Sequence, residues 1–270
     1  MDRQLLKWLE DNGCPTSYAT IIVHKLYNMT LPEFLVKYND LDHHQLLALM
    51  NKYEEEHIPI PYLLNEEYFL NDFYYINQDV LIPRIESEEL VMRVYNYIKE
   101  HYQIGDTIII ADVCCGSGVL GISLKLLATE FDIKLYSSDI SAKALEVCKT
   151  NYQQHGIEGG ILLGDLLTPL IDNHINPDII IINPPYVPTT RIVDDLVKQE
   201  PNIAIFSGED GLDCYREFYQ QLPQLNNQPV IFGEIDITQN ESIKQFSNNI
   251  KTIKDIGGVE RFFIDEQNQP

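Results

Sequence analysis

The first fifty-odd positions place apolar residues at helical spacing. Leu5, Leu6, Trp8 and Leu9 make one apolar face, Ile21, Ile22, Leu26 and Tyr27 a second, and Leu46, Leu47, Leu49 and Met50 a third. Asn12-Gly13 and Asn39-Asp40 are turn signals between them, and Glu54-Glu55-Glu56 reads as a solvated helix end. The texture then changes. Pro59-Ile60-Pro61-Tyr62 reads as a helix break, after which Glu67-Tyr68-Phe69-Leu70 and Phe73-Tyr74-Tyr75-Ile76 flank Asn71-Asp72. Aromatic, β-prone sequence around a two-residue turn predicts a hairpin.

From residue 87 onward, helical stretches alternate with four apolar runs that each close on a polar residue. They are Ile108 to Asp112, Lys134 to Asp139, Ile161 to Asp165, and Ile179 to Asn183. Near-continuous apolar runs separated by helices describe a parallel sheet covered on both faces. Ligands bind beyond the carboxyl ends of such strands, so the four polar ends are expected to line one crevice. The predicted architecture is α/β, with a small helical N-terminal domain over residues 1–58, a β-hairpin linker over 59–80 and a Rossmann-like sheet domain over 81–270. A length of 270 residues suits one large unit with a smaller one.

Charge changes the picture more than overall composition does. Nineteen basic and 41 acidic residues give a net charge of −22, and acidic residues dominate on both sides of residue 78. No cluster of Lys and Arg suited to phosphates is visible, so nucleic acid is not expected as the main partner. No apolar run approaches the ~20 residues of a membrane span. Met1-Asp2-Arg3-Gln4 lacks the basic-then-apolar start of a signal peptide, which predicts a cytoplasmic location. The five cysteines, at 14, 114, 115, 148 and 214, include no C-x-x-C pair, and the seven histidines show no ligand spacing. Free thiols and no metal are expected.

All four strand ends carry candidate chemistry. After the first, Cys114-Cys115-Gly116-Ser117-Gly118 leads into a helix over about 119–128. Its glycines permit a tight turn and close approach to a ligand, and the helix N-terminus offers free N–H groups to an anion. Gly116, Gly118 and Gly121 also match G-x-G-x-x-G, with Asp139 placed to hold ribose hydroxyls. This stretch alone fits either a methyl donor's carboxylate or a dinucleotide's pyrophosphate. Asp165 stands where an acceptor for an adenine amino group would be useful.

The fourth strand end separates the two. Asn183-Pro184-Pro185-Tyr186 contains two prolines that fix the backbone and remove two N–H donors, leaving carbonyls as acceptors. The Asn183 side-chain oxygen and the Pro184 carbonyl can accept both hydrogens of a substrate –NH₂. An amide lone pair is delocalised and weakly nucleophilic. Holding both hydrogens aims the nitrogen and stabilises the charge that develops on it. Tyr186 is expected to pack on the flat face of the substrate.

With these motifs in place, the chain resembles the peptide chain release factor protein-(glutamine-N5) methyltransferases, from about Pro59 to Phe263. Leu81-Ile82-Pro83-Arg84-Ile85-Glu86-Ser87-Glu88 is similar to the family's L-I-P-R-P-[ED]-T-E signature. Pro61-Tyr62-Leu63-Leu64, Glu200-Pro201, Ser207-Gly208, Gly211 and Glu234-Ile235 with Gln239 follow its pattern. The resemblance implies a class I methyltransferase sheet with an antiparallel last strand near Glu260 to Asp265. It also implies S-adenosylmethionine as cofactor, with S-adenosylhomocysteine as product, and class 1 release factors as partners. Cofactor contacts are implied at Cys114, Cys115, Gly116, Ser117, Gly118, Asp139, Asp165, Leu166 and Asn183. Substrate contacts and catalysis are implied at Asn183, Pro184, Pro185 and Tyr186.

Four departures from the family pattern are visible. Cys114 replaces the first loop glycine, so its backbone is expected to avoid positive φ. Ile85 replaces a proline, Asn226-Asn227-Gln228 a Gly-Gly turn, and Asp236 the glycine of E-I-G. Four rivals remain: a DNA adenine-N6 methyltransferase, a glutamine methyltransferase of ribosomal protein uL3, a nicotinamide oxidoreductase, and a non-catalytic binding module, which the intact cofactor and transfer motifs oppose. The net charge opposes the first. The Pro-Arg-x-Glu-Ser-Glu form fits the second less well than the release-factor branch, and the third leaves Asn183 to Tyr186 without a task.

Overall fold

Five helices come first: α1 (Gln4–Asp11), α2 (Tyr18–Tyr27), α3 (Leu31–Lys37), α4 (His44–Glu56) and α5 (Ile60–Leu64). The structure, a computed structural model, describes residues 4–266; of the N-terminal tetrapeptide considered above, all but Gln4 lies outside them. Leu9, Ile21, Ile22, Phe34, Leu46 and Ile60 meet in one core. The stripe on α4 is Leu46, Leu49 and Tyr53, whereas Leu47, expected on that face, points to solvent. Two helices were not foreseen. α3 starts at a capping box in which Thr30 accepts from the Glu33 N–H and Glu33 accepts from the Thr30 N–H. The segment read as a helix break is α5 itself, because Pro61 falls in its first turn, where a missing N–H costs nothing.

The hairpin pairs β1 (Glu67–Phe69) with β2 (Asp72–Tyr74). Its turn is Leu70-Asn71, one residue earlier than expected, and both residues have positive φ (46° and 68°) as a type I′ turn requires. Alternation along these short strands makes the hairpin two-faced. Tyr68 and Phe73 pack on the helical core, while Phe69 and Tyr74 enter the core of the sheet. His24 stacks on Phe73 with ring centroids 3.5 Å apart, and the Tyr74 hydroxyl lies 2.6 Å from Ser123 Oγ.

After α6 (Glu86–His101) the chain alternates through β3 (Thr107–Val113), α7 (Val119–Leu127), β4 (Asp132–Asp139), α8 (Ala142–Gln154), β5 (Gly159–Leu163), α9 (Thr168–Asp172) and β6 (Ile179–Ile182). α10 (Asp213–Gln221), β7 (Val230–Glu234), α11 (Asn240–Ile243), β8 (Ile250–Lys254) and β9 (Glu260–Glu266) complete it. The seven-stranded sheet has the order β5-β4-β3-β6-β7-β9-β8. β5, β4, β3, β6 and β7 are parallel, and β9 runs antiparallel between β7 and β8, as the resemblance implied.

Burial on both faces explains the apolar runs. In β6, Ile179 and Ile181 enter the core on one side of the sheet, and Ile180 and Ile182 the core on the other. All four are fully buried, each worth about 1.5–3 kcal/mol over exposure, which fixes the strand end from which Asn183 emerges. Asn151 of α8 joins hairpin to sheet. It accepts from the Tyr75 N–H and donates to the carbonyls of Tyr75 and Ser117, so the hairpin's exit is tied to the glycine loop. No helix among the described residues is long and apolar enough to cross a membrane.

Glu67 is buried where the hairpin meets the rest of the chain. One carboxyl oxygen accepts from the Tyr68 N–H, and the other has no hydrogen-bond partner. Burial pushes its carboxyl from the ordinary 4.5 up to about 8, against the pull of the Tyr68 N–H and Arg84. The folded chain therefore holds a proton that the unfolded chain releases near its ordinary value, and stability falls as pH rises between the two. Glu67→Gln should flatten the stability profile between about pH 5 and pH 8, and should exceed the parent at pH 8 by a few kcal/mol, about 1.4 per pH unit between the two values. Urea unfolding across that range measures it; an unchanged slope would contradict the buried, protonated Glu67.

Candidate active site

β3 leaves the sheet at Val113, and the chain turns through Cys114 to Gly118 into α7. Cys114, Gly116 and Gly118 all have positive φ (58°, 52° and 80°). This corrects the expectation for Cys114: the turn keeps the geometry a glycine would have, at a cost of about 1–2 kcal/mol. Neighbours hold it there. The Cys115 N–H donates to the Ser138 carbonyl, the Gly116 N–H to Asp139 Oδ2 at 2.9 Å, and the Gly118 N–H to the Cys115 carbonyl. A Cβ on Gly118 would come within 2.7 Å of Cys148 Sγ, so only glycine allows α8 to close against this turn.

Three of the four polar strand ends line one cavity, namely Asp139, Asp165 and Asn183. Asp112 does not, contrary to expectation. It is fully buried beneath α7, where Oδ2 accepts from the Gly121 N–H at 3.0 Å and Oδ1 has no hydrogen-bond partner. Burial pushes its carboxyl up to about 8. Helix and strand approach closely here, since a Cβ on Gly121 would meet Leu135 and Asp112, and the Gly121 N–H holds the carboxylate inward.

Of the other sequence-derived site residues, Cys114, Cys115, Gly116, Ser117, Leu166 and Pro185 also line the cavity. Gly118, Pro184 and Tyr186 are not in its wall: Gly118 caps α7, Pro184 is buried and the Tyr186 side chain turns inward. Asp139, read in the sequence as a holder of ribose hydroxyls, also braces the turn. Oδ1 accepts from the Ser141 N–H and Oδ2 from the Gly116 N–H, so it shapes the turn, and each oxygen keeps a further lone pair. Burial raises its carboxyl above the ordinary range, and those two N–H groups draw it back.

Asn183 is held by a carboxylate that sequence reasoning did not place in the site. Its Nδ2 lies 3.2 Å from Glu234 Oε2 and 3.4 Å from Ser87 Oγ. Ser87 Oγ donates to the same Glu234 oxygen at 2.7 Å, and the Tyr186 hydroxyl donates to the other at 2.8 Å. Burial, the largest influence on Glu234, raises its carboxyl, while the Ser87 and Tyr186 hydrogen bonds lower it. Burial and the neighbouring carboxylate also push the Tyr186 phenol well up, so it stays a donor.

Further residues complete the frame. Glu200 accepts from the Ile82 N–H and pairs with Arg84 at 2.6 Å, fixing the signature segment beside the cavity. Gln239 donates to the carbonyls of Tyr186 and Asp210 and accepts from the Asp236 N–H, joining three loops. Asp236, in place of a glycine, pairs with both terminal nitrogens of Arg191 from the loop after Tyr186. Ser87, Glu200, Glu234 and Gln239 all stood in segments quoted for the resemblance, but nothing local to those segments revealed which contacts they make.

The sheet order and the Asn-Pro-Pro-Tyr turn at the end of β6 define a class I S-adenosylmethionine-dependent methyltransferase. The Methyltransferase small domain family matches residues 98–206. The release factor glutamine methyltransferase of Bacillus anthracis is 31% identical over 281 residues, covering 97% of this chain and 98% of its own. That of Clostridium acetobutylicum is 30% identical, covering 95% and 90%. The chain belongs to the release factor glutamine methyltransferase family. Solved structures share the fold at low identity. The hMettl16 catalytic domain, in complex with a 3′UTR hairpin, superposes with a TM-score of 0.53 at 11% identity, over 83% of this chain and 82% of that one. A 16S rRNA N2 methyltransferase of T. Thermophilus, in complex with AdoMet and guanosine, gives 0.51 at 13% identity, over 75% and 50%.

Asp139→Ala removes an acceptor at the cavity wall and should weaken S-adenosylmethionine binding by roughly 1.5–3 kcal/mol. Calorimetry measures this; unchanged affinity would leave Asp139 as a turn residue only.

Proposed function

We propose that this protein transfers a methyl group from S-adenosylmethionine to the side-chain amide nitrogen of the glutamine in the Gly-Gly-Gln loop of class 1 peptide chain release factors. The observation that carries the reading is the length of the match to relatives named for that reaction. It takes in 97% of the chain, the N-terminal helices and hairpin included, and not the sheet alone. The net charge of −22 favours a protein partner over DNA, and the reaction belongs in the cytoplasm.

The cavity fits S-adenosylmethionine. The spare lone pairs of Asp139 suit ribose hydroxyls, the N–H groups opening α7 suit a carboxylate, and Phe69, Leu120 and Leu166 supply apolar wall for a flat ring. When bound, this cofactor supplies a methyl group made electrophilic by its sulfonium.

The protein's own residues do the rest. With Nδ2 of Asn183 committed to Glu234, its Oδ1 is the end left to accept one hydrogen of the glutamine amide. The Pro184 carbonyl accepts the other. Both acceptors strengthen as positive charge develops on nitrogen, which is stabilisation of the transition state over the ground state. Pro184 and Pro185 hold them in place before the substrate arrives, and Tyr186, expected to pack on the substrate, instead turns inward and donates to Glu234. The nitrogen becomes acidic as its new bond forms, so no dedicated base is required.

Asn183→Ala should leave the fold intact and lower transfer to release factor by on the order of 10²–10³ or more. Replacing the loop glutamine of the release factor by glutamate should stop labelling, since a carboxylate has no N–H pair to align. Single-turnover labelling, with circular dichroism as the control, measures both. Near-parental transfer by Asn183→Ala would contradict the reading.

A further inference from the structure

We infer that Glu234 is a positioning residue whose carboxylate decides which end of the Asn183 amide faces the cavity. Its kinetic readout rests on the proposed amide methylation, while its structural readout does not.

The two residues are neighbours by construction. β6 and β7 are parallel with Ile182 opposite Gly233, so Asn183 and Glu234 leave the sheet side by side. Glu234 is 1% exposed, so its oxygens depend on protein donors. They receive Ser87 Oγ and Asn183 Nδ2 on one oxygen and the Tyr186 hydroxyl on the other. An ionised carboxylate only accepts. With the amide turned over, Asn183 Oδ1 would oppose Glu234 Oε2 at the 3.2 Å now spanned by a hydrogen bond. Ser87 cannot rescue that arrangement, because its single proton already goes to Glu234.

Protonation removes the constraint. A carboxyl proton on the shared oxygen could donate to Asn183 Oδ1, and Nδ2 would then face the cavity, donor against the donors of a substrate –NH₂. The groups around Glu234 divide. Arg261 of β9, Ser87 of α6 and Tyr186 favour the ionised form, and Glu86 of α6 and burial oppose it. Tyr215 of α10 donates to the Glu234 backbone carbonyl and does not reach the carboxylate by that bond. Transfer should therefore decline on the acid side as Glu234 takes up its proton, with cofactor binding largely unchanged.

Glu234→Gln keeps the shape and abolishes the titration. The variant should lose about 10- to 100-fold in kcat while its KM for S-adenosylmethionine stays within about threefold, and its kcat should lack the parent's acid limb. Ser87→Ala, which removes one donor from the carboxylate, should move that limb to higher pH. It serves as the second variant if Glu234→Gln does not fold. In the cofactor-free protein, the Asn183 side-chain amide signal in nitrogen-15 NMR, assigned by its loss in Asn183→Ala, should shift with pH in the parent and not in Glu234→Gln. A Glu234→Gln protein with parental kcat and pH profile, a Ser87→Ala limb that does not move, or a parent amide that does not titrate, would overturn the inference. A parent whose amide titrates but which does not methylate release factor would overturn the proposed reaction and leave the positioning role standing.

Discussion

A buried carboxylate cannot be left without donors, and in this fold that requirement draws three distant segments together. Glu234, at the end of β7, receives Ser87 from α6, Asn183 from the end of β6 and Tyr186 from the turn beyond it. Removing one partner from such a cluster strands a desolvated group at a cost of about 1–3 kcal/mol or more. The cluster therefore resists local rearrangement, and it gives Asn183 a single orientation. Catalysis on a weak nucleophile depends on that rigidity, because the acceptors must be in position before charge develops.

The rest of the molecule supports this point from two directions. Beneath it, four isoleucines buried on both sides of the sheet fix the direction in which β6 ends. Beside it, the turn from Cys114 to Gly118 stores backbone strain and is held by Ser138, Asp139 and Asn151. Asn151 also reaches the hairpin, whose other face packs on the N-terminal helices. The helical core, the hairpin and the turn from Cys114 to Gly118 are thus one chain of contacts.

Much of this was legible in the sequence because it is local. Period and length gave the four parallel strands, and two prolines after an asparagine gave the turn that faces the cavity. The failures have physical reasons. Leu47 falls within an apolar cluster, but the helix rotates it outward once Leu46, Leu49 and Tyr53 are buried. Leu70-Asn71 takes the turn instead of Asn71-Asp72 because strand pairing matches Phe69 with Asp72. Cys114 accepts positive φ because tertiary hydrogen bonds outweigh its preference. Asp112 turns inward at a position where a polar strand end usually looks outward. Glu234 and Ser87 were visible as letters in recognised segments, but 147 residues separate them, and only the sheet order brings them together.

The group methylated is proposed to be the side-chain amide of the glutamine in the release factor's Gly-Gly-Gln loop, presented to Asn183 and Pro184. The most direct test is to incubate the protein with isotopically labelled S-adenosylmethionine and, in separate reactions, release factor, ribosomal protein uL3 and duplex DNA, and then to locate the label by tandem mass spectrometry. The expected result is a single methyl group on the side-chain amide nitrogen of the Gly-Gly-Gln glutamine, in release factor alone. A label on uL3, on adenine or on any other atom of the release factor would contradict it.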